Sequence, residues 1–330
     1  MRAVAPYTPD SDGLPRIVEL PDPIPGPGEV TIAVAATALN QADRLQLRGQ
    51  YPPPPRESDV PGLECAGTIT ALGPGVDSEG PWRIGTRVMA LLGGGGHGEK
   101  VAAPVGQLMA VPEALSLVEA AAIPEAALTA WTNLVAEGKL RPGETVIITG
   151  ATGGMGSFAV QVARELGGRV IAVGRDSERL SRVRAPGIDV ATDGELAGIV
   201  RERTAGKGAD LLLDFVAGPR LPERLDLLRV RGRMILVGVT AGARVELDLH
   251  PVLARRLRIV GSVLRARSRE EKALLVAGFS AFGLPLLAEG KLRPVVDRVL
   301  PFARIAEGYR ALAEGGAFGK IVVEMAGGQR

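Results

Sequence analysis

GETVIITGATGGMGSFAVQVARELGGRVIAVGRDSER, residues Gly143 to Arg179, decides the architecture of this chain. Val146-Ile147-Ile148 is a short apolar run of the kind a buried parallel strand needs. Gly150, Gly153, Gly154 and Gly156 follow at once, then Phe158, Ala159, Val162, Ala163 and Leu166 recur at helical spacing. Gly167-Gly168 is a natural helix stop, and Val170 to Val173 is a second strand. The pattern is a β-turn-α-β unit. Its glycines let the backbone turn tightly and approach a pyrophosphate, to which the helix start offers free N–H groups and a positive dipole end. The usual fingerprint G-x-G-x-x-G reads here Ala151-Thr152-Gly153-Gly154-Met155-Gly156, with alanine first. A glycine-rich connection alone is the competing reading, and placement between strand and helix favours a dinucleotide.

The end of the second strand bears on which dinucleotide. NAD sites place an acidic residue there for the ribose hydroxyls, and NADP sites a basic one for the 2′-phosphate. The strand ends Val173-Gly174-Arg175-Asp176-Ser177-Glu178-Arg179. Arg175 is a fork donor suited to phosphate, with Arg179 one helical turn on. Asp176 points the other way. Two solvated arginines at a helix start remain the alternative.

The 330 residues suffice for two domains, and 46% of them are hydrophobic, without an uninterrupted apolar run of membrane-spanning length. No signal-peptide core is read at MRAVAPYTPDSDG, and a single cysteine, Cys65, suits a reducing cytoplasm. A net charge of +2 and only 3% aromatics give no basis for nucleic-acid binding. The run Arg229-Val230-Arg231-Gly232-Arg233 reads as a solvated turn.

Before residue 120 or so, short β-prone runs at Arg2–Ala5, Arg16–Leu20, Glu29–Ala36, Cys65–Leu72, Arg87–Leu91 and Glu99–Ala102 alternate with Pro/Gly turns. That texture predicts an irregular antiparallel β domain. Asn40 is placed to cap a short helix through Leu47, before the stiff loop Tyr51 to Pro55. From Val146 to Gly261 six apolar strands alternate with helical segments, which predicts a doubly wound parallel sheet. A helix, a strand at Val295–Leu300, a helix Phe302–Ala313 and a strand Lys320–Glu324 close the chain. The expected domains are residues 1–120 with 266–330, and 121–265.

A β domain, a nucleotide unit and a short return segment resemble the medium-chain dehydrogenase/reductase superfamily. Asn40 to Pro52, NQADRLQLRGQYP, is similar to the N-x-x-D…R-x-G-x-Y-P signature of its quinone oxidoreductases. Pro61-Gly62-Leu63-Glu64-Cys65-Ala66-Gly67 resembles their P-G-x-E-x-x-G element. The stretch Ala120 to Trp131 resembles A-A-x-x-P…L-T-A-W, and Gly319 to Val323 the ending G-K-I-V-L. The Gly49–Pro54 loop, the Ile123–Ala127 run and Leu264-Arg265-Ala266-Arg267 look closest to the p53-inducible quinone oxidoreductase branch.

The resemblance implies an α/β fold with a GroES-like β domain and a six-stranded Rossmann sheet. It implies NADPH as cofactor, a quinone as hydride acceptor, a homodimer joined at the Arg258–Gly261 strand, and no membrane partner. Zinc relatives carry G-H-E where this chain has Gly62-Leu63-Glu64, and leucine cannot ligate zinc, so no metal is expected. Cofactor contacts are implied at Asn40, Tyr51, Thr129, Ala151, Thr152, Gly153, Gly154, Met155, Gly156, Gly174, Arg175, Arg179, Phe215, Gly238, Leu264, Arg265 and Lys320. Asn40 and Tyr51 are the expected hydrogen-bond donors to the acceptor carbonyl; a helix cap and a loop aromatic on prolines are their bland alternatives. Asp43 reads as structural. His97, in Gly93-Gly94-Gly95-Gly96-His97-Gly98, reads as an exposed histidine on a flexible loop. An enone or 2-alkenal reductase is the alternative enzyme, and a non-catalytic NADPH- or RNA-binding crystallin-like protein the alternative outside enzymes.

Overall fold

The computed structural model describes residues 1–325, which form two compact units. One comprises Met1–Leu128 and the chain from Arg265 onward; the other is Thr129–Leu264. The first boundary falls later than the expected residue 120. Helix Leu117–Ala120 packs on strands Glu29–Ala38 and Glu64–Leu72, and the Glu125 N–H donates to Glu64 Oε2 at 2.9 Å. Those contacts keep the segment with the β unit.

The second unit holds the predicted six-stranded parallel sheet. Its order is Ile188–Ala191, Arg169–Val173, Thr145–Ile148, Ala209–Asp214, Leu228–Leu236, Arg258–Gly261. From Thr145–Ile148 the chain first winds one way, then reverses to Ala209–Asp214, and doubly wound sheets bind ligands at such a switch point. Thr145–Ile148 is buried along its whole length, which explains its unbroken apolar run. Ile147, Ile171, Val173, Leu196, Leu212 and Met234 share one core on this sheet. The Arg229–Arg233 run is not a solvated turn. It lies inside the strand Leu228–Leu236, kinked where Arg231 has φ 61°. Arg233 is held by Glu144 at 2.5 and 3.1 Å and by the Gly138 carbonyl at 2.6 Å.

The first unit is built on a sheet ordered Val296–Pro301, Lys320–Glu324, Glu29–Ala38, Glu64–Leu72, Arg87–Leu91, Leu108–Ala110, with Lys100–Pro104 also pairing Glu29–Ala38. The three-residue strand Leu108–Ala110 is too short to show in the sequence pattern. The return segment belongs here because Lys320–Glu324 pairs antiparallel with the end of Glu29–Ala38. Helix Arg269–Ala288 has a mean hydropathy of 1.4 over a window long enough, by length and composition only, to cross a membrane. Its buried residues Lys272, Leu275, Val276, Phe279, Gly283 and Leu287 form one stripe at helical spacing, the pattern of a helix packed on one side.

His97 overturns the expectation of an exposed loop histidine. It is fully buried, its Nδ1 lies 3.1 Å from the Tyr309 hydroxyl, and the rings meet edge to face. The loop is fixed by backbone bonds from Gly95, Gly96 and His97 N–H groups to the carbonyls of Val60, Gly62 and Pro61. This close approach requires glycine at 62, where φ is 112° and a Cβ would stand 2.4 Å from the His97 nitrogen. Gly62→Ala is expected to destabilise the protein by about 2–3 kcal/mol through overpacking and backbone strain, read as a lower urea midpoint at unchanged slope.

Candidate functional site

The glycine loop shows which glycines the protein itself needs. A Cβ on Gly156 would lie 2.2 Å from the Gly150 carbonyl oxygen, so helix Gly154–Glu165 packs against the turn before it only without a side chain. Gly153 differs: its nearest atom would be the same oxygen at 3.5 Å, an ordinary contact. Nothing in the protein demands glycine there, and the space a side chain would fill is what a pyrophosphate would use. The first-turn N–H groups of Gly154, Met155 and Gly156 have no carbonyl in the preceding turn to bond. Ala151 is fully buried and its N–H donates to the Val173 carbonyl at 3.0 Å, so alanine fits the first fingerprint position. Thr152 joins it to Gly153. The residues present therefore fit a dinucleotide.

Gly174 follows the second strand, and Arg175 beyond it is exposed with no partner among the described residues. Asp176 caps the short helix Ser177–Ser181, accepting from the Arg179 N–H at 3.1 Å, and its carboxylate lies 3.4 Å from Arg179 Nε. Phe215 and Gly238 lie at the carboxyl ends of neighbouring strands. A buried carboxylate, Asp214, shapes that end: it accepts from Thr149 Oγ1 at 2.7 Å and from the Val216 and Ala217 N–H groups at 2.8 and 3.0 Å. Thr149 Oγ1 in turn accepts from the Phe215 N–H at 2.9 Å. Gly238 cannot carry a side chain, since a Cβ would lie 2.6 Å from the Phe215 carbonyl oxygen. Thr129 and Leu264, both buried, are the first and last residues of this unit.

The remaining expected residues lie in the β unit in two groups. Asn40, Lys320 and Glu64 form the first. Glu64 is fully buried, and its Oε1 accepts from Lys320 Nζ at 2.5 Å and Asn40 Nδ2 at 2.9 Å. Lys320 also donates to Asn40 Oδ1 at 2.6 Å, and Asn40 Nδ2 reaches the Ala38 carbonyl at 3.3 Å. Asn40 precedes helix Gln41–Gln46 as expected, but its side chain turns inward to this ion pair. Asp43 completes the helix start by accepting from the Asn40 N–H at 2.8 Å, and also takes the Gly62 N–H at 3.1 Å.

Tyr51 and Arg265 form the second group. Arg265 is buried and donates to the carbonyls of Gly93 at 2.8 Å and Tyr51 at 3.0 Å, and to Gln46 Oε1 at 2.6 Å. Its guanidinium carbon lies 5.2 Å from the Tyr51 ring centre, a cation–π contact. The Tyr51 hydroxyl has no hydrogen-bond partner among the described residues. Burial raises its pKa first and the Glu125 carboxyl adds to that, while Arg265 opposes. The phenol therefore keeps its proton at neutral pH and remains a donor.

Glu64, Glu125 and Lys272 received no role from the sequence. Glu125 is nine-tenths buried, and burial followed by the nearby Glu64 charge pushes its pKa up to about 8. Its signal was legible: one carboxylate in the apolar stretch Ala120-Ala121-Ala122-Ile123-Pro124-Glu125-Ala126-Ala127-Leu128. Lys272 sits within the apolar stripe of its helix, where a lysine is equally out of place. Among the described residues no group of three or more His, Cys, Asp or Glu side chains is placed to hold a metal ion, and Leu63 is buried.

Fold and glycine loop together define a dinucleotide-dependent oxidoreductase, and comparison with known proteins agrees. Residues 26–113 match the family described as alcohol dehydrogenase GroES-like domain, and residues 154–277 that described as zinc-binding dehydrogenase. The structure is similar to a quinone oxidoreductase from Thermus thermophilus, solved alone and with NADPH, at 35% identity and TM-score 0.81 over 98% of this chain and 100% of that one. It is also similar to an NAD-dependent alcohol dehydrogenase, at 31% identity and TM-score 0.84 over 99% and 100% of the two chains. JamJ enoyl reductase in its apo form matches at 27% and 0.83 over 98% of each. The chain belongs to the medium-chain dehydrogenase/reductase superfamily of oxidoreductases.

Two outcomes follow from these environments. Glu125 binds its proton more tightly folded than unfolded, so folding takes up a proton between about pH 5 and about 8, and stability falls as pH rises through that window. Wild-type stability should decline there by up to about 1.4 kcal/mol per pH unit relative to Glu125→Gln, measured by denaturant titration across pH. Gly156→Ala should lower stability by about 1–3 kcal/mol, whereas Gly153→Ala should leave the melting temperature nearly unchanged and weaken dinucleotide binding.

Proposed function

We propose that this protein is a zinc-independent NADPH:quinone oxidoreductase that works as a homodimer in the cytoplasm. The observation that carries the cofactor choice is the contrast between Arg175 and Asp176. Asp176 is committed to capping a helix and pairing with Arg179, which leaves it poorly placed to hold ribose hydroxyls. Arg175 is exposed and unpaired among the described residues, available to a 2′-phosphate. The NADPH complex of the Thermus relative supports this reading.

A bound nicotinamide supplies the hydride, so the protein needs to bind, orient and polarise an acceptor that is already electrophilic. Of the two expected donors, Asn40 has its amide N–H groups on Glu64 and Ala38. The role therefore passes to Tyr51, whose free hydroxyl can donate to the acceptor oxygen as negative charge develops there. The same donor would serve an enone or 2-alkenal, and the likeness to an enoyl reductase supports that second reading.

The dimer proposal rests on the sheet edge. Strand Arg258–Gly261 pairs on one side only among the described residues, and Ile259 is exposed on it, with Val263 just beyond. An open apolar edge invites a second copy. Light scattering at micromolar concentration should give twice the chain mass, and a monomer would refute the dimer.

Wild-type protein should bind NADPH more tightly than NADH, and Arg175→Ala should weaken NADPH by roughly tenfold while leaving NADH unchanged. Equal wild-type affinities would overturn the cofactor assignment. Tyr51→Phe should lower kcat/KM by about five- to a hundredfold with NADPH affinity retained. An acceptor panel decides the substrate class: ortho-quinones turned over faster than 2-alkenals support the quinone reading, and the reverse order the alternative. A chelator should change nothing.

A further inference from the structure

Tyr51 sits in a loop that its own backbone can hold on one side only. The loop leaves helix Gln41–Gln46 and returns at Asp59, whose carbonyl accepts from Gln46 Nε2 at 2.8 Å and so closes the neck. Before Tyr51, the Gly49 and Gln50 N–H groups donate to the carbonyls of Gln46 and Leu45, each at 2.9 Å. After it come Pro52, Pro53, Pro54 and Pro55, which have no N–H to donate. Among the described residues the next backbone bond is donated by Glu57, to the Pro54 carbonyl at 3.1 Å. A loop of this kind keeps Tyr51 in place only if a donor from elsewhere takes up its carbonyl.

Arg265 is that donor. Its Nη1 bonds the Tyr51 carbonyl at 3.0 Å, its Nη2 the Gln46 Oε1 at 2.6 Å, and its Nε the Gly93 carbonyl at 2.8 Å. Gln46 thus turns its oxygen to Arg265 and its amide nitrogen to Asp59. One guanidinium braces the neck of the loop, Tyr51 within it, and the glycine loop beside it. Its carbon also lies 5.2 Å from the Tyr51 ring centre. Arg265 is buried, and among the described residues no carboxylate lies within ion-pair distance of it. A buried cation is costly, and a position that serves packing alone favours an apolar residue or a matched ion pair. Here every hydrogen-bond acceptor is neutral, and Asp43, Glu125 and Glu57 act on the charge only from farther away. The cation is therefore not cancelled where it meets the phenol ring. A cation in that place strengthens the phenol as a donor, since it favours negative charge on the ring and its oxygen.

We infer that Arg265 is a positioning residue of the reduction, which fixes the place and the donor strength of the Tyr51 hydroxyl without itself touching cofactor or acceptor. The inference rests on the reductase reading above, with Tyr51 as its polarising donor. It replaces the expectation that Arg265 contacts the cofactor, because all three of its nitrogens are already bonded within the β unit. Arginine suits the position and lysine does not. A planar fork reaches three acceptors in fixed directions and can lie against a ring, whereas an ammonium is a point charge on a flexible stem.

The test is a double-mutant cycle on kcat/KM for the acceptor, with Arg265→Met and Tyr51→Phe. Arg265→Met should lower kcat/KM by no more than Tyr51→Phe does, about five- to a hundredfold, and the double variant should be no slower than Tyr51→Phe alone. Losses that multiply would overturn the inference, because a residue acting on the acceptor directly, or through general destabilisation, still costs rate when the hydroxyl is gone. NADPH affinity should be retained; a loss of roughly tenfold would make Arg265 a cofactor contact and overturn the inference. Arg265→Lys keeps the charge and is the milder change, so it carries the same cycle should Arg265→Met not fold. A coupled loss is expected there too, and a wild-type rate would overturn the role of the fork. Hydrogen exchange in the ligand-free protein gives a readout independent of turnover. The Gly49 and Gln50 amides should exchange faster by roughly tenfold or more in the Arg265 variants, and at wild-type rates in Tyr51→Phe. Unchanged exchange in the Arg265 variants would overturn the inference. Undiminished turnover in Tyr51→Phe, with exchange raised in the Arg265 variants, would instead sink the polarising role of Tyr51, and with it the catalytic consequence of the brace.

Discussion

A single buried carboxylate organises the β unit. Glu64 has no exposed surface, and an isolated charge there would be strongly disfavoured. It is tolerated because Lys320 and Asn40 meet one oxygen and the Glu125 N–H the other, while the Glu64 carbonyl accepts from Thr37 Oγ1 at 2.7 Å. These partners come from the last strand, the start of a short helix, a later helix and the longest strand. Three separated stretches of sequence, at residues 37–40, 125 and 320, thus converge on Glu64. The positions of Glu125 and of the return strand follow from this point.

The nucleotide unit repeats the solution. Asp214 is buried at the end of its strand, bonded by Thr149 from the central strand and by two N–H groups of its own turn. Arg224 approaches its second oxygen at 3.6 Å while forking onto Asp193 at 2.9 and 3.0 Å. The carboxyl ends of the two central strands are therefore locked together beside the glycine loop. That rigidity suits a site that must hold backbone N–H groups in fixed directions toward an anion.

Two buried acids of the same β unit have different partners. Glu64, with a lysine in contact, is matched; Glu125, facing Glu64 and lacking any such partner, is driven toward its neutral form. The same functional group is thus held in two different surroundings, one with a lysine in contact and one without.

The sequence alone determined the strand-loop-helix of residues 145–165, the succession of six strands alternating with helices along the chain and the presence of a β unit before them. These are set by local periodicity and by glycine's freedom, which neighbouring residues reveal. Residues 150–156 were legible as a tight glycine-rich turn between strand and helix for the same reason. Tertiary structure alone decided that Asn40 faces Glu64 and Lys320, that His97 is buried against Tyr309, and that Arg265 is tied to Tyr51, Gly93 and Gln46. Each of these pairs lies far apart in sequence, and a polar residue's role depends on what burial places beside it. Glu125 lies between the two cases. Its apolar surroundings could be read as burial, but only the fold put Glu64 next to it and left its carboxyl without a partner.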